Sequence, residues 1–261
     1  MNHHQVAIVT GAGGRIGQAI ARMLVEEGYA VIVNDLDPFR CEGTAGRLSA
    51  GGGTVMAMTC DVSIREEADH LVEMAFGAWG RIDVLVNCAG IFPNTPVIDM
   101  EDDEWDRVYN TNLRGPFMLS RAAARAMIAG ADGRGRQIIN ISSTAGESAR
   151  TGAAHYCGSK AALNMLTKVL AIELAPHSIR VNAVAPGIVV DQVYERASPP
   201  DDPYVAALLA GIPLGRTGEG DDIANAVRFL ISPDAEWITG EILHVNGGST
   251  AGRVTLPPSQ F

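Results

Sequence analysis

Thr10-Gly11-Ala12-Gly13-Gly14-Arg15-Ile16-Gly17 decides how the rest of the chain is read. Just upstream, Val6-Ala7-Ile8-Val9 is a short, continuously apolar run of the kind that forms a buried strand. Just downstream, Ile16, Ala19, Ile20, Met23 and Leu24 recur at helical spacing, which predicts a helix over 16–27. A glycine-rich turn between a strand and a helix lets backbone N–H groups at the helix N-terminus approach a pyrophosphate. Loops also collect glycine for purely structural reasons. Placement inside the first strand–helix–strand unit favours the dinucleotide reading, with Gly11, Gly14, Arg15, Ile16 and Gly17 as the cofactor-binding turn.

The same alternation continues outward. Apolar, β-branched runs fall at 30–33, near Val55, and at 84–86, 138–141, 180–184 and 242–245, separated by helix-length segments. Continuously apolar strands belong to parallel sheets covered on both faces. The expectation is therefore an α/β chain folded as one domain over 1–261, a Rossmann-type doubly wound parallel sheet with helices on both faces. Two segments break the pattern. Residues 188–213 are rich in Pro and Asp with weak periodicity, and they follow a strand end where open α/β sheets bind ligands, so they read as a substrate loop or lid. The tail at 249–261 is either a loose end or an arm reaching a neighbouring subunit.

Composition bounds the function. Of 261 residues, 47% are hydrophobic and 19% charged, enough apolar material for one sizeable core and too little charge for a disordered chain. A formal net charge of -10 gives no global attraction for nucleic acid or anionic lipid. No apolar run approaches the roughly 20 residues that span a bilayer. The start, Met1-Asn2-His3-His4-Gln5, lacks the basic and apolar stretches of a signal peptide, so the expected location is cytoplasmic. Cys41, Cys60, Cys88 and Cys157 lie far apart without a metal-ligand spacing, which points to reduced thiols, no disulfide framework and no metal.

Asp35 ends the second strand, 18 residues after Gly17. A carboxylate there can accept from the adenosine ribose hydroxyls and would repel a 2′-phosphate. Two unit charges about 4 Å apart at an effective dielectric of about 20 repel by roughly 4 kcal/mol. Even after heavy screening, this predicts NAD over NADP by about a hundredfold. Arg15 and Arg40 are the nearby cations that argue for a phosphate instead.

Further along stands Tyr156-Cys157-Gly158-Ser159-Lys160, in a chain with five tyrosines and two lysines. Ser143, in Asn140-Ile141-Ser142-Ser143, precedes Tyr156 by 13 residues. With these residues the chain resembles the short-chain dehydrogenase/reductase family, in its short single-domain branch, from about Gln5 to Gly248. The resemblance implies Ser143, Tyr156 and Lys160 as catalytic residues, with Asn112, in Thr111-Asn112-Leu113, as the fourth. It also implies cofactor contacts from Asp61 and Val62 in Cys60-Asp61-Val62, from Asn87, Ala89 and Gly90 in Asn87-Cys88-Ala89-Gly90, and from Pro186, Gly187 and Val189. Tyr156 and Lys160 belong to the cofactor set as well. The chain departs from the family pattern at Arg15, where the short branch has a glycine, at Cys88, where it has a second Asn, and at Asp191, where it often has a Thr. Read as Gly11, Gly14 and Gly17, the turn has the spacing of the family's longer epimerase branch, but the length and the later Val245-Asn246-Gly247-Gly248 favour the short one.

Residue chemistry agrees with that reading. A tyrosine is a poor base at its ordinary pKa of about 10, and an opposite charge within about 4–6 Å lowers it. Tyr156 and Lys160 lie one helical turn apart and share a face, so Lys160, together with a positive nicotinamide ring, is expected to bring Tyr156 towards neutrality. Ser143 would hold the substrate oxygen, and Asn112 resembles the family's water-relay residue. His155, on the far side of the helix from Tyr156, reads as packing.

The helix from Ala154 to Ala175 is apolar on most sides, more than one sheet face can cover. Either it is buried deep within the monomer or it forms an isologous subunit interface, and the family resemblance implies a dimer or a homotetramer. Segments expected to face substrate carry Asn94, Glu147, Ser148, Arg150, Asp191, Gln192, Glu195 and Arg196. That polar set favours a small sugar- or polyol-like substrate over a steroid or a long acyl chain. Arg150, Asp191 and Arg196 are its candidate contacts, and the two arginines suit an anionic group. The expected activity is NAD-dependent hydride transfer between a secondary alcohol or ketone and the nicotinamide. The alternatives are a 3-oxoacyl-carrier-protein reductase, usually NADP-linked, and a non-catalytic dinucleotide sensor.

Overall fold

A computed structural model describes residues 4–130, 135–190 and 209–252. Its seven strands are β1 (Val6–Val9), β2 (Ala30–Asp35), β3 (Val55–Thr59), β4 (Val84–Asn87), β5 (Arg136–Ile141), β6 (Ile179–Pro186) and β7 (Ile242–Val245). All pair in parallel, in the order β3-β2-β1-β4-β5-β6-β7. The chain winds outward from β1 to β3, then returns to β4 on the other side of β1. The β1/β4 boundary is therefore the topological switch point, where a doubly wound sheet opens a crevice at its carboxyl edge.

Seven helices of the described chain clothe the sheet: α1 (Arg15–Glu26), α2 (Pro38–Ala50), α3 (Arg65–Trp79), α4 (Asp102–Tyr109), α5 (Gly115–Ala129), α6 (Ala154–Leu174) and α7 (Gly220–Ile231). On one face Ile20 and Leu24 of α1, Cys41 and Ala45 of α2, and Ile223, Val227 and Leu230 of α7 pack on Val9, Val33, Val86 and Ile139. On the other, Leu71 and Val72 of α3, Met118, Leu119 and Met127 of α5, and Leu170 of α6 pack on Ile8, Ile32, Leu85 and Ile138. Alternate residues of each strand thus serve opposite cores, which is why β1, β2 and β4 read as unbroken apolar runs.

The helix at 16–27 begins one residue earlier than its apolar periodicity indicates, because Arg15 takes the first helical position after Gly14. The run at 180–184 extends to Ile179–Pro186, with Pro186 at the strand's last position. Most of the 188–213 segment, including Asp191 and Arg196, and the tail from 253 lie outside the described residues. No helix among the described residues is long and apolar enough to cross a membrane. All four cysteines are free thiols.

Candidate active site

The glycine turn sits at the switch point, and its shape is set by what lies beside it. Gly11 has φ +62°, and a Cβ there would come within 2.7 Å of Ala89 Cα, so the turn lies flush against the loop after β4. Thr10 fixes that contact: its Oγ1 accepts the backbone N–H groups of Cys88 and Ala89, each at 3.1 Å. A Cβ at Gly17 would run into the Gly11 carbonyl and Ala12, which holds α1 close to β1.

Gly13, which the spacing argument passed over, is hemmed in by charged side chains. A Cβ there would lie 2.7 Å from Asp35 Oδ2 and 2.5 Å from the Cβ of Arg40. By contrast, the nearest atom to a Cβ at Gly14 is the Gly11 carbonyl oxygen, at 3.4 Å. The Gly13 N–H donates to Asp35 Oδ2 at 2.9 Å, and the Asp37 N–H donates to Asp35 Oδ1 at 3.0 Å. Asp35 is thus locked at the rim of the turn. Arg40 Nε lies 3.4 Å from Asp37, so that cation is shared with a carboxylate. Arg15 is exposed at the start of α1.

The loops beyond the turn are built around three amides. Asn87 Nδ2 donates to Asn140 Oδ1 at 2.8 Å and to Ser120 Oγ at 3.1 Å, and Asn140 Nδ2 donates to Thr167 Oγ1 at 2.9 Å. This chain ties β4, β5, α5 and α6 together beneath the crevice. Asn112 lies in a π-type turn, Asn110–Arg114, that joins α4 to α5, and it is fully buried. Its Oδ1 accepts the Ile91 N–H at 2.9 Å and its Nδ2 donates to the Ile91 carbonyl at 2.8 Å. The side chain of Asn112 therefore clasps the loop after β4 by its backbone, a structural task the sequence does not reveal. Asp61 and the buried Val62 follow β3, where the Asp61 N–H donates to Glu67 at 2.6 Å. Gly187 has no room for a side chain, since its Cβ would lie 2.9 Å from Asn246 Cα, and Val189 bridges to Gly218.

Ser143, Tyr156 and Lys160 meet at the carboxyl edge of β5. Ser143 caps the short turn Thr144–Gly146, its Oγ accepting the Ala145 N–H at 3.1 Å, and its hydroxyl is hydrogen-bonded with that of Tyr156. Lys160 is buried and donates to the Ile141 carbonyl at 2.7 Å, so its ammonium is anchored to the strand end. Burial draws the Lys160 pKa down to about 8. Burial pushes the Tyr156 phenol up, against the hydrogen bond from Ser143 and the charge of Arg150, which pull it down. The expected shift towards neutrality is thus not present in the free protein, because the phenol's loss of water outweighs the nearby charges. Burial also pushes the Cys88 thiol up to about 12, keeping it protonated beside Lys160.

His155 does more than pack. It is fully buried, its Nδ1 accepts the Tyr156 N–H at 2.8 Å, and its Nε2 meets Glu104 of α4 at 3.0 Å. With Nδ1 accepting the Tyr156 N–H, the Nε2 side of the ring is left to face the Glu104 carboxylate. At the mouth, the Thr95 N–H donates to the Gly152 carbonyl at 2.8 Å, joining the loop after β4 to the one before α6. Arg150 is exposed above Tyr156, and Glu147 lies 3.1 Å from His244, within ion-pair distance but off the hydrogen-bond direction. No group of three or more His, Cys, Asp or Glu among the described residues is arranged to hold a metal.

A bare-backbone turn at a helix N-terminus, backed by a carboxylate at the end of β2 and facing a half-buried Ser–Tyr pair with a buried lysine, defines an oxidoreductase that works with a bound nucleotide. A family model described as enoyl-(acyl carrier protein) reductase matches residues 11–250. An uncharacterized oxidoreductase of Methylorubrum extorquens is 40% identical over 245 residues, covering 94% of this chain and 97% of its own. The 3-oxoacyl-[acyl-carrier-protein] reductase FabG of Staphylococcus aureus is 40% identical over 243 residues, covering 93% and 96%. The crystal structure of a short-chain type dehydrogenase/reductase from Mycobacterium marinum superposes with a TM-score of 0.86 at 33% identity, over 95% of this chain and 96% of that one. The chain belongs to the short-chain dehydrogenase/reductase family, which implies a nicotinamide cofactor.

Proposed function

We propose that the protein is an NAD-dependent oxidoreductase that interconverts a secondary alcohol and a ketone on a small polar substrate. The observation that carries the cofactor preference is Asp35, whose carboxylate is bonded to the Gly13 N–H at the rim of the turn. A fixed negative charge there accepts ribose hydroxyls and repels a 2′-phosphate, and Arg40, the cation beside it, is shared with Asp37. The turn at Gly11, Gly13, Gly14, Arg15, Ile16 and Gly17 would hold the pyrophosphate. Asp61 and Val62 would flank the adenine. Asn87, Ala89, Gly90, Pro186, Gly187 and Val189 would line the way to the nicotinamide, with Tyr156 and Lys160 beside it. When bound, the nicotinamide supplies the acceptor or donor of hydride.

The protein's own residues handle the proton. Ser143 holds the substrate oxygen, Tyr156 takes or gives its proton, and Lys160 supports the charge on Tyr156. Asn112 keeps the loop beside them in place. Arg150 at the mouth is assigned to the substrate together with Asp191 and Arg196, and the two arginines suit an anionic substituent. We also place the protein in the cytoplasm and read it as a homo-oligomer, a dimer or homotetramer. Met165, Val169 and Ile172 of α6 are exposed, and a 370 Å³ groove between α5 and α6 is lined by Tyr109, Asn110, Leu113, Arg114, Phe117 and Leu166.

A second reading, 3-oxoacyl-carrier-protein reductase, is favoured by the staphylococcal relative. Asp35 and the net charge of -10 oppose it, since that activity is usually NADP-linked and docks an acidic carrier. Following reduced nicotinamide by its near-ultraviolet absorbance decides between them. The panel is NAD⁺ and NADP⁺, each with sugars, polyols, hydroxy acids and hydroxyacyl thioesters. Turnover of thioesters with NADP⁺ alone overturns the first reading.

A further inference from the structure

Tyr156 is flanked by two cations, and only one belongs to the Tyr-x-x-x-Lys pattern. Lys160 Nζ lies 5.9 Å from the centroid of the Tyr156 ring, on the buried side. The guanidinium carbon of Arg150 lies 5.5 Å from the same centroid, and Arg150 is exposed. Both distances fall within the roughly 6 Å over which a cation is attracted to an aromatic face. Among the described residues no carboxylate pairs with Arg150. Its segment is held in place by the Ala153 N–H donating to the Arg150 carbonyl at 3.2 Å and by the Thr95–Gly152 bond.

The two cations differ in kind. Burial holds Lys160 near a pKa of about 8, so its charge fades as pH rises through that value. A guanidinium stays charged throughout, is weakly hydrated and stacks on ring faces, so its field on the phenol does not titrate. The other groups facing Tyr156 offer no substitute. Cys157 on α6 opposes ionisation, Ser143 at the end of β5 contributes a neutral hydroxyl, and Phe92 after β4 presents an apolar ring edge at 6.2 Å. His155 is turned towards Glu104.

We propose that Arg150 is a positioning residue of the catalytic centre, which holds positive charge near the Tyr156 ring from the exposed mouth so that the phenolate is stabilised by two cations. It acts through Tyr156 and rests on the reading of Tyr156 as the acid–base group. It also gives the site a cation that persists where Lys160 becomes neutral.

The test needs neither substrate nor cofactor, so its failure is separable from failure of the proposed activity. The full chain is labelled with 3-fluorotyrosine, whose fluorine draws phenol titration down into a range the fold tolerates. The Tyr156 signal in fluorine NMR is identified among the five tyrosines by its loss in Tyr156→Phe. In Arg150→Met and Arg150→Gln the titration midpoint of that signal moves up, and Arg150→Lys restores most of the shift. Circular dichroism shows the variants folded. In the enzyme, both neutral variants lower kcat/KM for alcohol oxidation roughly tenfold on the acid side of the profile and less above it. A Tyr156 midpoint unchanged in both neutral variants overturns the proposal, as does a shift that Arg150→Lys does not rescue.

Discussion

The Nε2 of His155 lies 3.0 Å from Oε1 of Glu104, so a residue at the first turn of α6 is tied to α4, 51 positions earlier in the chain. The same ring holds the backbone N–H of Tyr156 through Nδ1. The position of Tyr156 along the crevice is thereby set by α4 as well as by α6. His155→Phe keeps a planar ring at the position and strips both bonds. Expected is a loss of about 1–3 kcal/mol of stability, read as a fall of several degrees in Tm, with kcat falling more than KM rises.

Glu104 is held below the usual carboxylate range by hydrogen bonds from Thr95 and His155. A depressed carboxylate adds stability above its unfolded pKa and loses it as pH falls through the folded one. In His155→Phe the hydrogen bond from His155 is gone, so its Tm falls less steeply with acid below about pH 4.5 than that of the wild type. Parallel Tm curves for the two proteins across that range would remove the coupling.

Glycine at position 13 is required by its neighbours, and glycine at position 14 is not. Gly13→Ala would set a methyl against Asp35 and Arg40, and is expected to lower Tm and weaken NADH binding at least tenfold. Gly14→Ala, at an extended φ of -85° with its nearest neighbour at 3.4 Å, should leave Tm within about one degree. Thermal scans and NADH fluorescence on the two variants read both outcomes.

Asp35→Asn keeps an oxygen to accept the Gly13 N–H and removes the charge. NADPH binding should tighten at least tenfold relative to NADH, with Tm lowered by a few degrees because the amide cannot accept from both the Gly13 and the Asp37 N–H groups. Equal discrimination in the variant and the wild type, measured by fluorescence titration, would show that the carboxylate does not set the preference.

Lys160 has a folded pKa near 8 against an ordinary value of 10.5. Between those values the unfolded chain binds the extra proton, so this residue makes the protein gain stability as pH rises from about 8 to 10.5. Lys160→Met should abolish that rise, and the difference in Tm between wild type and variant should change over that window and be flat below it.

Tyr156→Phe is expected to lower turnover by roughly two to four orders of magnitude while leaving NADH affinity within about threefold. Stopped-flow rates and fluorescence titration of the same preparation separate the two.

The sheet was legible because β1, β2 and β4 are apolar on both faces, and only a doubly covered parallel sheet accommodates that. Ser143, Tyr156 and Lys160 were legible because their spacing is local to β5 and α6, and the structure brings them together. What escaped the sequence depends on residues meeting across the fold. Whether Gly13 or Gly14 must lack a side chain depends on where Asp35 and Arg40 lie. The role of His155 depends on Glu104, and that of Asn112 on the backbone of Ile91. The upward pull of burial on the Tyr156 phenol escaped the sequence too, because proximity of charge can be read from spacing, whereas depth of burial cannot.

Asn112 grips Ile91 only through main-chain atoms, and that has a bearing on how such proteins diversify. A grip on the peptide group places no demand on which side chain follows it. The root of the stretch from Ile91 to Met100 therefore stays in register whatever side chain position 91 carries, while Phe92 and Thr95 further along carry contacts of their own to Tyr156 and Glu104. Replacing the side chain at position 91 alone is thus a way to reshape the mouth that leaves the hold of Asn112 on the loop in place.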